Sequence, residues 1–211
     1  MTMNTVRTLT IGTLALGVAA TLFAQSVTKF DAKPGSKVTI DGTSTVHDWT
    51  VEGGIIAGAM ELDSKFATDP TKAAPGKVGA KVEATIPVRS LKSGKSAMDS
   101  IMHGALKQPT QPKIEYRLTE LTLKETPKSA EGPFNFDSKG ELAVAGVTNK
   151  VAFPVVMTRT GNTIKTSGTT SVKMTSFGIQ TPAPAVALGL IKTGDDVKLT
   201  FEWVTAASEA K

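Results

Sequence analysis

The chain contains no cysteine, one tyrosine, two tryptophans and only two histidines. Without cysteine there is no disulfide, no thiolate metal site and no thiol nucleophile, so stability must come from a packed core. Two histidines, His47 and His103, leave little material for a zinc site or a base-assisted nucleophile. The net charge of +5 is scattered through Lys29, Lys33, Lys37, Lys192 and Lys198, with no basic block. So few Tyr and Trp side chains would make a poor platform for stacking bases, and nucleic acid is not an expected partner.

Long hydrophobic runs are also missing, with one exception at the start. Arg7 is the only charge ahead of an apolar stretch of about sixteen residues from Leu9 to Ala24, which is followed by small residues. This pattern reads as a secretory signal peptide over residues 1–24, with cleavage after Ala24 or Ser26. An uncleaved anchor is the alternative, but the run is short of the roughly 20 residues of a span and is diluted by Gly and Thr. Removing the leader leaves an exported chain of ordinary single-domain size, with no stable membrane span after processing.

The remainder returns repeatedly to period-two alternation. "VTIDG" (38–42) begins the series. "KVEATIPV" sets Val82, Ala84, Ile86 and Val88 on one face, and "VKLTFEW" does the same with Val197, Leu199, Phe201 and Trp203. Such segments are half-buried antiparallel strands. "KIEYRLTELTL" alternates through Ile114, Tyr116 and Leu118 and then shifts phase to Leu121 and Leu123, which calls for a β-bulge. Further strands are expected over 48–62, 140–145, 150–159 and 163–175, giving about eight in all. Pro87 and Pro154 fall inside two of these and point to bulges or edges. "RTGNT" (159–163) reads as a tight hairpin.

One stretch has helical spacing. In "SGKSAMDSIMHGALKQP", Met98, Ile101, Met102, Ala105 and Leu106 share a face; Ser96 is the expected cap, Asp99 lies in the first turn, and Pro109 follows the end. One short amphipathic helix inserted among consecutive alternating strands predicts an all-β, up-and-down closed barrel, since closure removes exposed edges. A barrel of about eight strands is either filled by side chains or holds one small ligand, and composition does not choose between these.

Three segments carry a family resemblance. "GTSTVHDWTVEG" (42–53) resembles the first hairpin of the YceI-like family, in the branch with a His-Asp-Trp there. "GELAVAGVTNKVAFPVVM" (140–157) is similar to its central hairpin, with Gly146, Val147, Thr148 and Lys150 in step. "KMTSFGIQTP" and "LIKTGDDVKLTFEW" resemble its closing unit, and Asp99 stands where the family has a helix-opening Asp. "QPTQP" replaces the usual Tyr-Pro, and Met98 stands where a basic residue is common. The resemblance covers residues 36–205 and leaves 206–211 as a tail. It implies a secreted or periplasmic, lipocalin-like extended antiparallel eight-stranded barrel, whose apolar cavity binds a polyisoprenoid, a quinone or another long-chain amphiphile. It implies no catalysis and no cofactor beyond such a ligand, and a homodimer stays open.

Ser44, His47 and Asp48 are the residues that could suggest chemistry. On an extended strand His47 and Asp48 point to opposite faces, and "GTSTV" lacks the G-x-S-x-G of a nucleophile elbow. A hydrolase or isomerase using His47 and Asp48 is therefore a rival reading, and a filled barrel acting through its surface is another. A metal site would need His47, His103 and a carboxylate to converge, which requires the helix to lie over the first hairpin. The expectation for 42–53 is structural: hydroxyls satisfy a turn while Trp49 and Val51 enter the wall. Alternation nominates Trp49, Val51, Ile86, Tyr116, Leu118, Val144, Phe153, Val155, Leu199, Phe201 and Trp203 as ligand-lining. Met98, Ile101 and Met102 would cover the opening, with Phe177 and Ile179 at its rim.

Overall fold

The computed structural model describes residues 26–181 and 192–208; the expected leader (1–24) and the last residues of the expected tail lie outside them. Among these residues eleven strands form one sheet. They are β1 (Val27–Ala32), β2 (Lys37–Ser44), β3 (Trp49–Gly53), β4 (Ala57–Asp63), β5 (Gly76–Lys77) and β6 (Ala80–Pro87). After them come β7 (Lys113–Leu123), β8 (Phe134–Val144), β9 (Val147–Thr160), β10 (Thr163–Lys173) and β11 (Thr193–Ala207). Two α-helices interrupt them among the described residues, α1 (Ser64–Thr68) and α2 (Ser96–Ala105). Among the described residues no helix is long and apolar enough to cross a membrane.

Eight strands close the barrel in the order β1-β4-β6-β7-β8-β9-β10-β11, all antiparallel, with β11 returning to β1. The long β11 is shared along its length. Its Thr205–Ala207 end pairs with β1, and its Thr193–Glu202 portion pairs with β2, which carries β3 on its other edge. Val204 marks the changeover: its carbonyl accepts from the Lys33 amide (2.9 Å) and its amide donates to the Ser36 hydroxyl (3.1 Å). The barrel therefore begins at Val27, ahead of the expected boundary at residue 36. In "VTKFDA" only Phe30 is buried, too weak an apolar signal to announce a strand.

The expected phase shift in β7 is present, with the register against β8 slipping between Leu118 and Glu120. The expected single strand over 48–62 is not: it divides into β3 and β4, which pair with different neighbours. Gly53 packs against Leu91 where a Cβ would crowd it, and the Trp203 indole Nε1 donates to the Ile56 carbonyl (3.1 Å), holding the crossing between the two. Pro87 ends β6, and Pro154 sits where β9 parts from β10. Ser96 does not cap α2; the cap position is Lys95, which has no side-chain bond, and the start is organised by Asp99 instead.

The two ends of the tube differ. At the α1 end, Phe66 inserts edge-on against Phe134 and Phe136 (centroids 5.6 and 5.5 Å) above buried Phe30, Met60 and Leu62. Arg159 fastens this plug by donating from Nη1 to the Ala67 carbonyl. Aromatic edge contacts of this kind add about 0.5–1.5 kcal/mol beyond area burial. This end is solid.

On the outer face, Glu120 lies opposite Lys139 and also meets Lys77 of β5 (2.7 and 2.5 Å). The hydrogen bonds from Lys139 and Lys77 pull the pKa of its carboxyl down to about 2, well below the ordinary glutamate value. Since folding lowers this pKa, the stabilisation is full above the unfolded value and drains as pH falls through the folded one. Urea unfolding of the wild type between about pH 5 and pH 2 should therefore lose stability more steeply than that of Glu120→Gln. Equal slopes for the two proteins would refute this role for Glu120.

Candidate functional site

The hollow end is built from the β2–β3 turn upward. The Ser44 hydroxyl donates to the His47 carbonyl (2.7 Å) and accepts from the amides of Val46 and His47 (3.3 and 3.2 Å). This is a hydroxyl-closed turn of the kind that Ser favours. Trp49 lies flat over Gly42, its directly paired neighbour, and its Nε1 donates to the Thr43 carbonyl (3.1 Å). Helix α2 bridges the same end. The Asp99 carboxylate accepts from the amide and the hydroxyl of Ser93 (2.7 Å each), which holds its pKa below the usual carboxylate range with lesser help from Lys92. His103 makes a second tie, its Nε2 lying 3.0 Å from the Leu91 carbonyl. The helix and the first hairpin thus border the same end of the tube. With His103 turned to Leu91, no three potential metal ligands gather among the described residues.

Between turn and helix opens a cavity of about 510 Å³, within the ~300–1,000 Å³ range of small-molecule sites. Its wall is almost wholly apolar. Of the polar side chains on it, Ser44, His47, Lys95 and Thr193 belong to the strand ends and the helix start at the mouth, while Thr170 lies within β10. Inside, a chain of rings runs along the wall from Tyr116 to Phe153 (5.7 Å) and on to Phe201 (5.9 Å). Tyr116 lies against Gly140 and Phe201 against Gly168, each so close that a Cβ there would stand under 3 Å from the ring. The rings are thereby laid along the wall where they would otherwise cross the bore. Burial raises the Tyr116 phenol above its ordinary pKa. Its hydroxyl lies beside that of Ser138, which donates to the Phe153 carbonyl (2.7 Å).

Most residues nominated from alternation meet on this one surface. Trp49 and Val51 reach it from β3, Ile86 from β6, Tyr116 from β7 and Val144 from β8. Phe153 comes from β9, and Leu199, Phe201 and Trp203 from β11; Met98, Ile101 and Met102 face it from α2. Leu118 and Val155 do not line it. Leu118 stands beside the β7 bulge, and Val155, buried at 5%, belongs to the packed half. Phe177 and Ile179, expected at a rim, are buried in the turn that follows β10 and still border the cavity. Val38, Ile40, Leu142 and Val172 also line it and were not nominated. The signal was present, since each shares the period-two phase of a strand already recognised. Leu91, Ala97 and Lys95 had no such signal, because only the folding-back of residues 88–97 brings them there.

The sequence model of the YceI-like domain matches residues 24–205. No curated protein sequence matches the chain significantly. Several solved structures share the fold at low identity. A polyisoprenoid binding domain from Saccharophagus degradans is 11% identical, with a TM-score of 0.63 over 87% of this chain and 100% of that one. BcnA from Burkholderia cenocepacia is 20% identical, with a TM-score of 0.59 over 80% and 95%. A Campylobacter jejuni YceI protein is 17% identical, with a TM-score of 0.54 over 76% and 85%.

If the rings depend on the bare backbone beneath them, Gly168→Ala should displace Phe201 into the bore and destabilise by about 1–3 kcal/mol. Gly54→Ala, where nothing lies within 4 Å, should change stability by less than about 0.5 kcal/mol. Denaturant midpoints of the two variants would decide; similar small shifts would exclude the crowding.

Proposed function

The chain belongs to the YceI-like family, and from that premise we propose that it holds a long apolar amphiphile in the hollow half of its barrel. A polyisoprenoid, a polyprenyl quinone or a comparable acyl chain fits the wall, and the protein acts as an exported, periplasmic or secreted, carrier or sequestering agent. The single observation that carries this is the apolar cavity of about 510 Å³. Water is a poor occupant, because the interior wall offers few groups to bond it. A hydrocarbon chain is a better one: each isoprene unit contributes about 3–4 kcal/mol before ordering costs. The mouth, with His47 and Lys95 on its wall, suits the polar head of such a molecule.

The rivals fare less well. A filled barrel acting only through its surface does not need a cavity of this size. A hydrolase built on His47 and Asp48 lacks its nucleophile, since the Ser44 hydroxyl is committed to the backbone of its own turn. The description of the Saccharophagus degradans domain as polyisoprenoid binding agrees with the reading, as does the leader-like start of the sequence.

Native mass spectrometry and organic extraction of the exported protein should reveal a bound long-chain amphiphile. Added at 100 times its Kd, a polyprenyl quinone should stabilise the fold by about 2.7 kcal/mol and raise Tm by several degrees. Ala84→Trp, which places an indole on the lining, should abolish that rise while leaving a cooperative unfolding transition. A protein that is empty as isolated and indifferent to quinones and fatty acyl chains alike would overturn the proposal.

A further inference from the structure

The barrel wall is split beside the cavity. The β9–β10 hairpin pairs from Thr160 with Thr163 as far as Val155 with Gly168, and there the register ends. Both strands continue. Beyond that point β9 pairs only with β8, down to Val147, and β10 pairs only with β11, out to Lys173. The parting has a local cause: the next residue of β9 is Pro154, which has no amide hydrogen to offer a ladder. Among the described residues the next hydrogen bond across the gap is at the far end, where the Asn149 side-chain amide donates to the Ser176 carbonyl (2.8 Å).

The split lies alongside the hollow half of the tube. Where the strands are paired, the inward side chains Val155, Met157, Ile164 and Thr166 are buried in the packed half. Where they part, Phe153, Thr170 and Val172 line the cavity and are half-buried, as are Ile86, Tyr116 and Leu199 elsewhere on its wall. From Asn149 to Pro154 the opening runs for roughly 16 Å at the usual strand rise. Among the described residues no strand covers it.

We infer that this slit is the passage through which a long hydrocarbon chain enters and leaves the tube, sideways rather than end-on. The inference rests on reading the cavity as a hydrocarbon site. The end of the tube is poorly suited to the traffic. It is bridged by α2, which Asp99 and His103 tie to residues 91–93, and it is bordered by polar side chains. A chain threaded end-on must pass its whole length through that mouth. Through a slit it can be laid in along its length, so fewer methylenes stand in water at any moment.

The absence of cysteine makes the test clean. Ala152 and Ser171 are exposed on the two edges of the slit, on the continued register of the hairpin. The double variant Ala152→Cys and Ser171→Cys would be bridged with a bifunctional maleimide whose spacer contains a reducible disulfide. Thr158→Cys with Lys165→Cys, directly paired lower in the same hairpin, controls for the chemistry. Uptake of a four-isoprene ubiquinone from phosphatidylcholine vesicles would be followed by quenching of Trp49 and Trp203, both on the cavity wall. Bridging the slit should slow uptake at least tenfold without changing final occupancy, reduction of the spacer should restore the rate, and the control bridge should have no effect. Equal uptake rates in bridged and unbridged slit variants would overturn the side passage while leaving the binding site standing. No quenching in any variant, the wild type included, would remove the binding site itself.

Discussion

The open bore depends on where the large rings rest. Three aromatic side chains, Trp49, Tyr116 and Phe201, lie against the bare backbone of Gly42, Gly140 and Gly168. A ring standing upright from an inward strand position would reach across a tube of this girth, and several of them would fill it. Laid on glycine, the same ring becomes part of the wall. It contributes its apolar area to the lining and leaves the centre free. The rings thereby join the many aliphatic side chains of the lining, and the glycines give them room to do so.

The contrast with the α1 end shows the same side-chain type doing the opposite work. Phe66, Phe134 and Phe136 meet edge to face across the interior and close it. One end of the barrel supplies a rigid packed core, and the other is free to be empty of side chains because the first holds the strands in register. This division suits a chain without disulfides. Stability and capacity are placed in different halves of one tube, so filling or emptying the cavity need not disturb the plug.

Closure is also uneven. At the plugged end β1 seals the barrel through ordinary pairing with β4 and β11. At the hollow end β2 and β3 replace it, and β3 meets the rest of the wall through one bridge between Glu52 and Lys92. Helix α2 spans what the strands leave open, with Asp99 and His103 as its fastenings. The His-Asp-Trp stretch that looks chemical in the sequence is part of this construction: Ser44 closes a turn and Trp49 lines a wall.

Much of this was legible in the residue order. Alternation in "KVEATIPV" and "VKLTFEW" told which faces turn inward, and the slipped phase after Leu118 announced the β7 bulge. The i, i+3, i+4 spacing of Met98, Ile101 and Met102 located the helix. These are local properties, written into neighbouring residues by the periods of strand and helix. The division of 48–62 into two strands, the stave made by Val27–Ala32 and the presence of Leu91 in the lining were not legible, because each follows from a partner distant in the chain. Above all, alternation reports only that Phe153, Val155 and Phe201 point inward. Whether inward side chains touch one another, as around Val155, or face a void, as around Phe201, depends on the girth of the closed barrel and on which residue lies opposite. Only the tertiary structure brings Gly168 beneath Phe201, and that meeting decides between a filled core and a cavity.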